Sequence, residues 1–102
     1  MNIVWTNLAK ITYFEIIKNL NNYWDKNQSK NFVNLTNNQL KNIKNGTVKH
    51  KLINKEVRKC IIHKNVSLYY IEDLKNNKII LITFYNNRMN PNTLITLLKS
   101  SK

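Results

Sequence analysis

The sequence predicts an α+β fold of two layers, and three observations predict it. Apolar residues recur at intervals of three and four through the first half of the chain, the period falls to two beyond residue 57, and a strand-like run precedes the first helical segment. A helical hairpin laid on a meander of strands buries both apolar faces in one core.

Each element has its own warrant. Asn2 to Trp5 is a short apolar run that stops at Thr6, a good N-cap, so an opening strand feeds a helix. Over residues 7–24, Ala9, Tyr13, Ile16, Ile17, Leu20, Tyr23 and Trp24 share one helical face. Asp25 to Gln28 reads as a polar break, after which Ser29 caps a second helix carrying Phe32, Leu35, Leu40 and Ile43 and ended by Gly46. So short a connection predicts an antiparallel pair.

Residues 47–56 show no period and carry Lys49, His50, Lys51 and Lys55, the pattern of a basic loop or an irregular sheet edge. From Val57 to Ile62 alternation puts Val57, Lys59 and Ile61 on one face and Arg58, Cys60 and Ile62 on the other. His63-Lys64-Asn65 then forms a hairpin connection into Val66 to Asp73. In that strand Leu68 and Tyr70 are expected to face the helices, with Ser67 and Tyr69 on the opposite side, beside Arg58. Asn76-Asn77 makes the next turn. Lys78 to Asn86 is apolar on both faces, as an interior strand covered on both sides would be. Pro91 starts a short C-terminal helix with Leu94, Ile95, Leu97 and Leu98.

A chain of 102 residues is expected to form one domain, residues 1–102, with a single core. Its 17 Lys plus Arg against 5 Asp plus Glu give a net charge of +12, which attracts nucleic acid, acidic protein segments or anionic surfaces. The abundance of Asn, Lys and Ile is also what an AT-rich coding sequence produces, so the charge has a compositional origin beside a functional one. A lone Cys60 excludes a disulfide framework and fits a reducing compartment. The start of the chain lacks a basic leader with an apolar core, and Ile79 to Ile82, the longest apolar run, is too short to cross a bilayer. A cytoplasmic protein without membrane partners is expected. With no glycine-rich phosphate loop, no metal-ligand spacing and no paired carboxylates, no metal or cofactor is expected.

Val4-Trp5-Thr6 followed by Ala9, Val57-Arg58-Lys59 after the helices, Leu68-Tyr69-Tyr70 in the middle strand and Asn87-Arg88-Met89-Asn90-Pro91 near the end follow one another in an order that resembles the RelE/ParE superfamily of type II toxins, which includes plasmid stabilisation proteins. The resemblance runs over nearly the whole chain. It implies a RelE/ParE-like two-layer sandwich and a growth-inhibiting toxin neutralised by a cognate antitoxin with an acidic or amphipathic segment. It leaves two chemistries open, because the superfamily holds both DNA gyrase poisons and ribosome-dependent mRNA endonucleases, and fold does not imply function.

Laid on the mRNA-cleaving branch, the sequence keeps a basic residue at Arg58 and at Arg88, while Cys60, Ser67 and Leu94 stand where the resemblance implies lysine, arginine and tyrosine. Three departures favour a toxin that binds and poisons a target such as DNA gyrase; the alternatives are an mRNA endonuclease with a rearranged site and, behind it, a degenerate toxin that keeps only antitoxin binding. In an endonuclease Arg58 and Arg88 would stabilise phosphorane charge but could not act as bases. His63, His50 and Lys59 are then the candidates for proton transfer, His63 first by intrinsic pKa although a hairpin position suits a structural histidine. Arg58 and Arg88 equally fit an antitoxin carboxylate. Lys49, His50, Lys51 and Lys55 form either a solvated loop or an electrostatic guide for nucleic acid or an acidic partner, and Tyr69 is the candidate stacking surface. Cys60 reads as a small strand residue, not a nucleophile.

Overall fold

The computed structural model describes residues 1–23, 26–46, 50–63 and 66–86, with side chains for all of these except 20–23 and 26. The elements run β1 (Asn2–Trp5), α1 (Asn7–Tyr23), α2 (Lys26–Asn45), β2 (Lys51–Leu52), β3 (Val57–His63), β4 (Val66–Asp73) and β5 (Lys78–Asn86). The proposed C-terminal helix, Arg88, Lys49 and the core candidate Trp24 lie outside the described residues, and so do the side chains of Leu20 and Tyr23.

Thr6 starts α1 as its chemistry predicts, accepting the Ala9 N–H on its hydroxyl at 3.0 Å while Lys10 N–H bonds its carbonyl at 3.1 Å. The ring of Tyr13 in α1 lies 5.5 Å from that of Phe32 in α2, so α2 folds back on α1. Gly46, at φ +71°, ends α2 by donating its N–H to Ile43 O at 3.1 Å.

The five strands form one sheet in the order β1-β5-β4-β3-β2. β1 runs parallel to β5, whereas β2 through β5 pair antiparallel in sequence, so the sheet is mixed and β4 is its centre. Both helices pack on one face. There Ala9, Ile16, Phe32 and Ile43 bury themselves against Cys60, Leu68, Tyr70, Leu81 and Phe84, which confirms Leu68 and Tyr70 as helix-facing. Four rings bind the layers at this point: Phe84 lies 5.0 Å from Tyr13, 5.6 Å from Trp5 and 6.3 Å from Phe32 between centroids. Such pairs add about 0.5 to 1.5 kcal/mol each beyond the area they bury. A second buried group, Val57, Tyr69, Ile82 and Tyr85, occupies the opposite face.

A bulge in β5 decides which residues reach the helices. Tyr69 pairs with Thr83 but Tyr70 with Leu81, which leaves Ile82 as the extra residue. Strict alternation from Leu81 would send Thr83 and Tyr85 to the helical face; the extra residue sends Phe84 there and Tyr85 to the other cluster. The backbone groups near the bulge find partners in α1. Thr6 Oγ1 donates to Leu81 O at 2.8 Å and to Ile82 O at 2.9 Å, and Thr12 Oγ1 accepts the Phe84 N–H at 3.0 Å.

Ser29 and His63 depart from expectation, and residues 47–56 take one of two expected forms. Ser29 does not cap α2, which begins at Lys26; Ser29 is 8% exposed inside the helix and, with Phe32, Thr36 and Ile43, forms the stripe that α2 buries. Small polar residues occupy stripe positions here because Thr36 satisfies its own hydroxyl by donating to Phe32 O at 2.8 Å. Of the two readings of residues 47–56, the edge is the one realised at Lys51–Leu52, which pairs with β3. His63 is the last residue of β3, opposite Val66, not a turn residue, because an irregularity between Ile61 and His63 carries the ladder one residue further.

Candidate functional site

The site lies at the β2 edge of the sheet, and a side-chain cap builds that edge. Asn54 Oδ1 accepts the N–H groups of Glu56 and Val57, each at 2.9 Å, and Ile53 N–H bonds Val57 O at 2.8 Å. This turn returns the chain antiparallel, so that Lys51 lies opposite Lys59 and Leu52 opposite Arg58. Across the next ladder Arg58 faces Tyr70 and Lys59 faces Tyr69.

That register corrects the placement of Arg58. Tyr69 shares its face with Lys59, and Arg58 shares the helical face with Tyr70 and Cys60. Directly opposed residues point the same way, so Tyr69 offers no stacking surface beside the Arg58 guanidinium. At 3% exposed, Tyr69 is also too covered to stack on a base.

Arg58 is held from two sides. Its Nε lies 2.8 Å from Glu72 Oε1 in an ion pair whose side chains are about one-fifth exposed, at 21% and 24%, and its Nη1 donates to His50 O at 2.6 Å. His50 in turn places Nδ1 2.7 Å from the hydroxyl of Tyr70, a residue with no exposed surface. Burial pushes the Tyr70 hydroxyl up to about 12, so it stays protonated and donates to His50 Nδ1. His50 is lowered from its ordinary value, chiefly by burial and then by the Arg58 charge, with Glu72 opposing. Neutral His50 therefore has its Nδ1 lone pair engaged and its other nitrogen carrying the proton.

This arrangement sets what the group can do. A base needs a free lone pair on the nitrogen that meets the substrate, and His50 has committed its own to Tyr70. A phosphorane-stabilising cation works best with an uncompensated charge, and the Arg58 charge already faces the Glu72 carboxylate. The group works as a clasp that fixes the chain entering β2 onto β3 and β4.

The other predicted residues are dispersed. His63 lies half-exposed at the far end of β3, and Lys51 and Lys55 are exposed at the β2 edge and in the following loop. Arg58 and His50 come together; His63 does not join them. Cys60 is fully buried and burial raises its thiol to about 12, as a structural strand residue requires. Sequence reading missed Glu72 and took Tyr70 only as core. Alternation along β4 was the available signal, since it puts Tyr70 and Glu72 on one face. An open groove of about 430 Å³ adjoins the clasp, with Leu52, Lys55, Arg58, Ile71, Glu72 and Leu74 among its lining residues. Among the described residues no group of three His, Cys, Asp or Glu side chains could hold a metal ion, and no helix is long and apolar enough to cross a membrane.

The chain matches no known family model and no curated protein.

Proposed function

We propose that this chain is a RelE/ParE-like toxin of a type II toxin–antitoxin pair, which arrests growth by binding and poisoning a protein target such as DNA gyrase and is neutralised by a cognate antitoxin. The order of strand, two helices and antiparallel strands, with both helices on one sheet face, supports the scaffold. The engagement of Arg58 by Glu72 and His50 carries the choice of chemistry. RNA cleavage without metal needs a base and an uncompensated cation at the scissile phosphate, and the clasp provides neither. Binding a folded target requires only a stable surface. The net charge of +12 speeds encounter with acidic partners in either case.

The contact between His50 and Arg58 favours a second reading, an mRNA endonuclease with a rearranged site, if ribosome binding were to pull Arg58 from Glu72. The deciding experiment induces the full chain in a bacterial host and follows DNA synthesis, protein synthesis and the integrity of ribosome-bound mRNA. Early arrest of DNA synthesis with intact mRNA supports target poisoning. Site-specific mRNA cleavage overturns it.

A further inference from the structure

The face of the sheet away from the helices carries an uncompensated pair of charges. Lys51 and Lys59 stand directly opposite one another there, in one row with Tyr69. Like charges so placed repel, and a carboxylate set against them would turn that repulsion into attraction. Among the described residues neither lysine has a carboxylate partner, and the ion pair formed nearby, Arg58 to Glu72, lies on the helical face. Two residues along β3 on the face of Lys59, Ile61 is 65% exposed. Two cations and an exposed isoleucine thus adjoin at the margin of a face whose interior, Tyr69, Ile82 and Tyr85, is buried.

We infer that Lys51, Lys59 and Ile61 form the docking surface for an acidic protein segment that sets carboxylates against the two lysines and an apolar side chain on Ile61. The inference rests on the toxin reading to the extent that it names where the acidic partner would lie. Charge complementarity selects the carboxylates, and Ile61 selects protein over nucleic acid. A phosphate backbone matches the lysines but gains nothing from a bare aliphatic side chain, and the one aromatic ring of the row is covered.

The test uses the full chain, labelled for NMR, with a synthetic peptide of alternating Glu and Leu as probe and a single-stranded RNA oligonucleotide of equal charge as competitor. The peptide should shift the amide signals of Lys51, Lys59 and Ile61 first. The double variant Lys51→Gln/Lys59→Gln should weaken peptide binding about tenfold, as loss of two exposed ion pairs allows. The control Lys30→Gln/Lys44→Gln, with the same charge change on exposed positions of α2, should weaken it less than about threefold. Equal losses in the two variants, shifts centred elsewhere, or RNA displacing the peptide from these residues would each overturn the inference. Far-ultraviolet circular dichroism excludes misfolding of the variants. Growth arrest is scored separately: arrest without peptide binding sinks the docking surface and spares the toxin reading, and binding at the strip by a chain that arrests nothing does the reverse.

Discussion

The hydroxyl of Tyr70, in the fully buried middle of β4, and Nδ1 of His50, just ahead of β2, lie 2.7 Å apart. The contact crosses the intervening strand β3 and gives a buried polar atom its partner, so it joins the sheet centre to its edge. A double-mutant cycle measures this link. His50→Ala strands the hydroxyl and should cost about 1 to 3 kcal/mol, whereas Tyr70→Phe removes the need for a partner and should cost about 0.5 to 1.5 kcal/mol. Made together they should cost clearly less than the sum. Strict additivity in urea denaturation would mean that the two side chains do not meet in solution.

The same pair gives stability a defined pH dependence. His50 is depressed in the fold from an ordinary value of 6.5, so the folded chain binds its proton less readily than the unfolded chain. Its contribution is whole above about 6.5 and is lost as pH falls through the lower folded value. Tyr70 is raised from 10.0 to about 12, so its contribution is whole below 10 and is lost as pH rises toward 12. The urea midpoint should fall on both sides of a neutral plateau. His50→Gln should flatten the acid limb and Tyr70→Phe the alkaline one.

Thr12 and Thr6 support the β5 bulge, and their loss should be felt there. Thr12 Oγ1 donates to Leu8 O at 2.8 Å while accepting the Phe84 N–H. Thr12→Val keeps the shape and removes the acceptor, so it should cost about 1 to 3 kcal/mol, and Thr12→Ser should recover most of that. Thr6→Val removes a helix cap as well as two carbonyl contacts and should cost at least about 1 to 2 kcal/mol. Fast hydrogen exchange confined to the Phe84 amide in Thr12→Val would locate the effect; unchanged exchange would refute the role.

Leu68 tests the layer assignment. It is fully buried on the helical face, and Leu68→Ala should cost about 2 to 5 kcal/mol in chemical denaturation. A loss below about 1 kcal/mol would place Leu68 outside the core.

Local residue chemistry announces some elements of this fold, and only packing decides the others. The period of two in Val66–Asp73 and the Thr6 cap were legible because local chemistry forces them. Ser29 was not, since a stripe read by hydrophobicity passes over a small hydroxyl residue that fits against a neighbouring layer. The face of Phe84 was hidden for another reason: an extra residue in β5 shifts parity, and no residue type there signals it. At the site, alternation separated Arg58 from Lys59 correctly, but nothing local says which neighbour Arg58 will meet. Its pairing with Glu72 comes from the β3–β4 register, a long-range property.

Arg58 carries the last prediction, which separates a fork from a charge. The guanidinium bonds Glu72 and His50 O at once through different nitrogens, a geometry that a lysine ammonium does not reproduce. If the clasp depends on that fork, Arg58→Lys should behave much like Arg58→Gln, each losing about 1 to 2 kcal/mol, between the worth of an exposed pair and that of a buried one. Amide exchange at residues 51–53 should accelerate in both. A role of charge alone predicts that Arg58→Lys matches the wild type. Because the fork anchors β2 beside β3, Arg58→Lys should also loosen the row in which Lys51 stands opposite Lys59, so peptide affinity at Lys51 and Ile61 should fall even though no charge has changed.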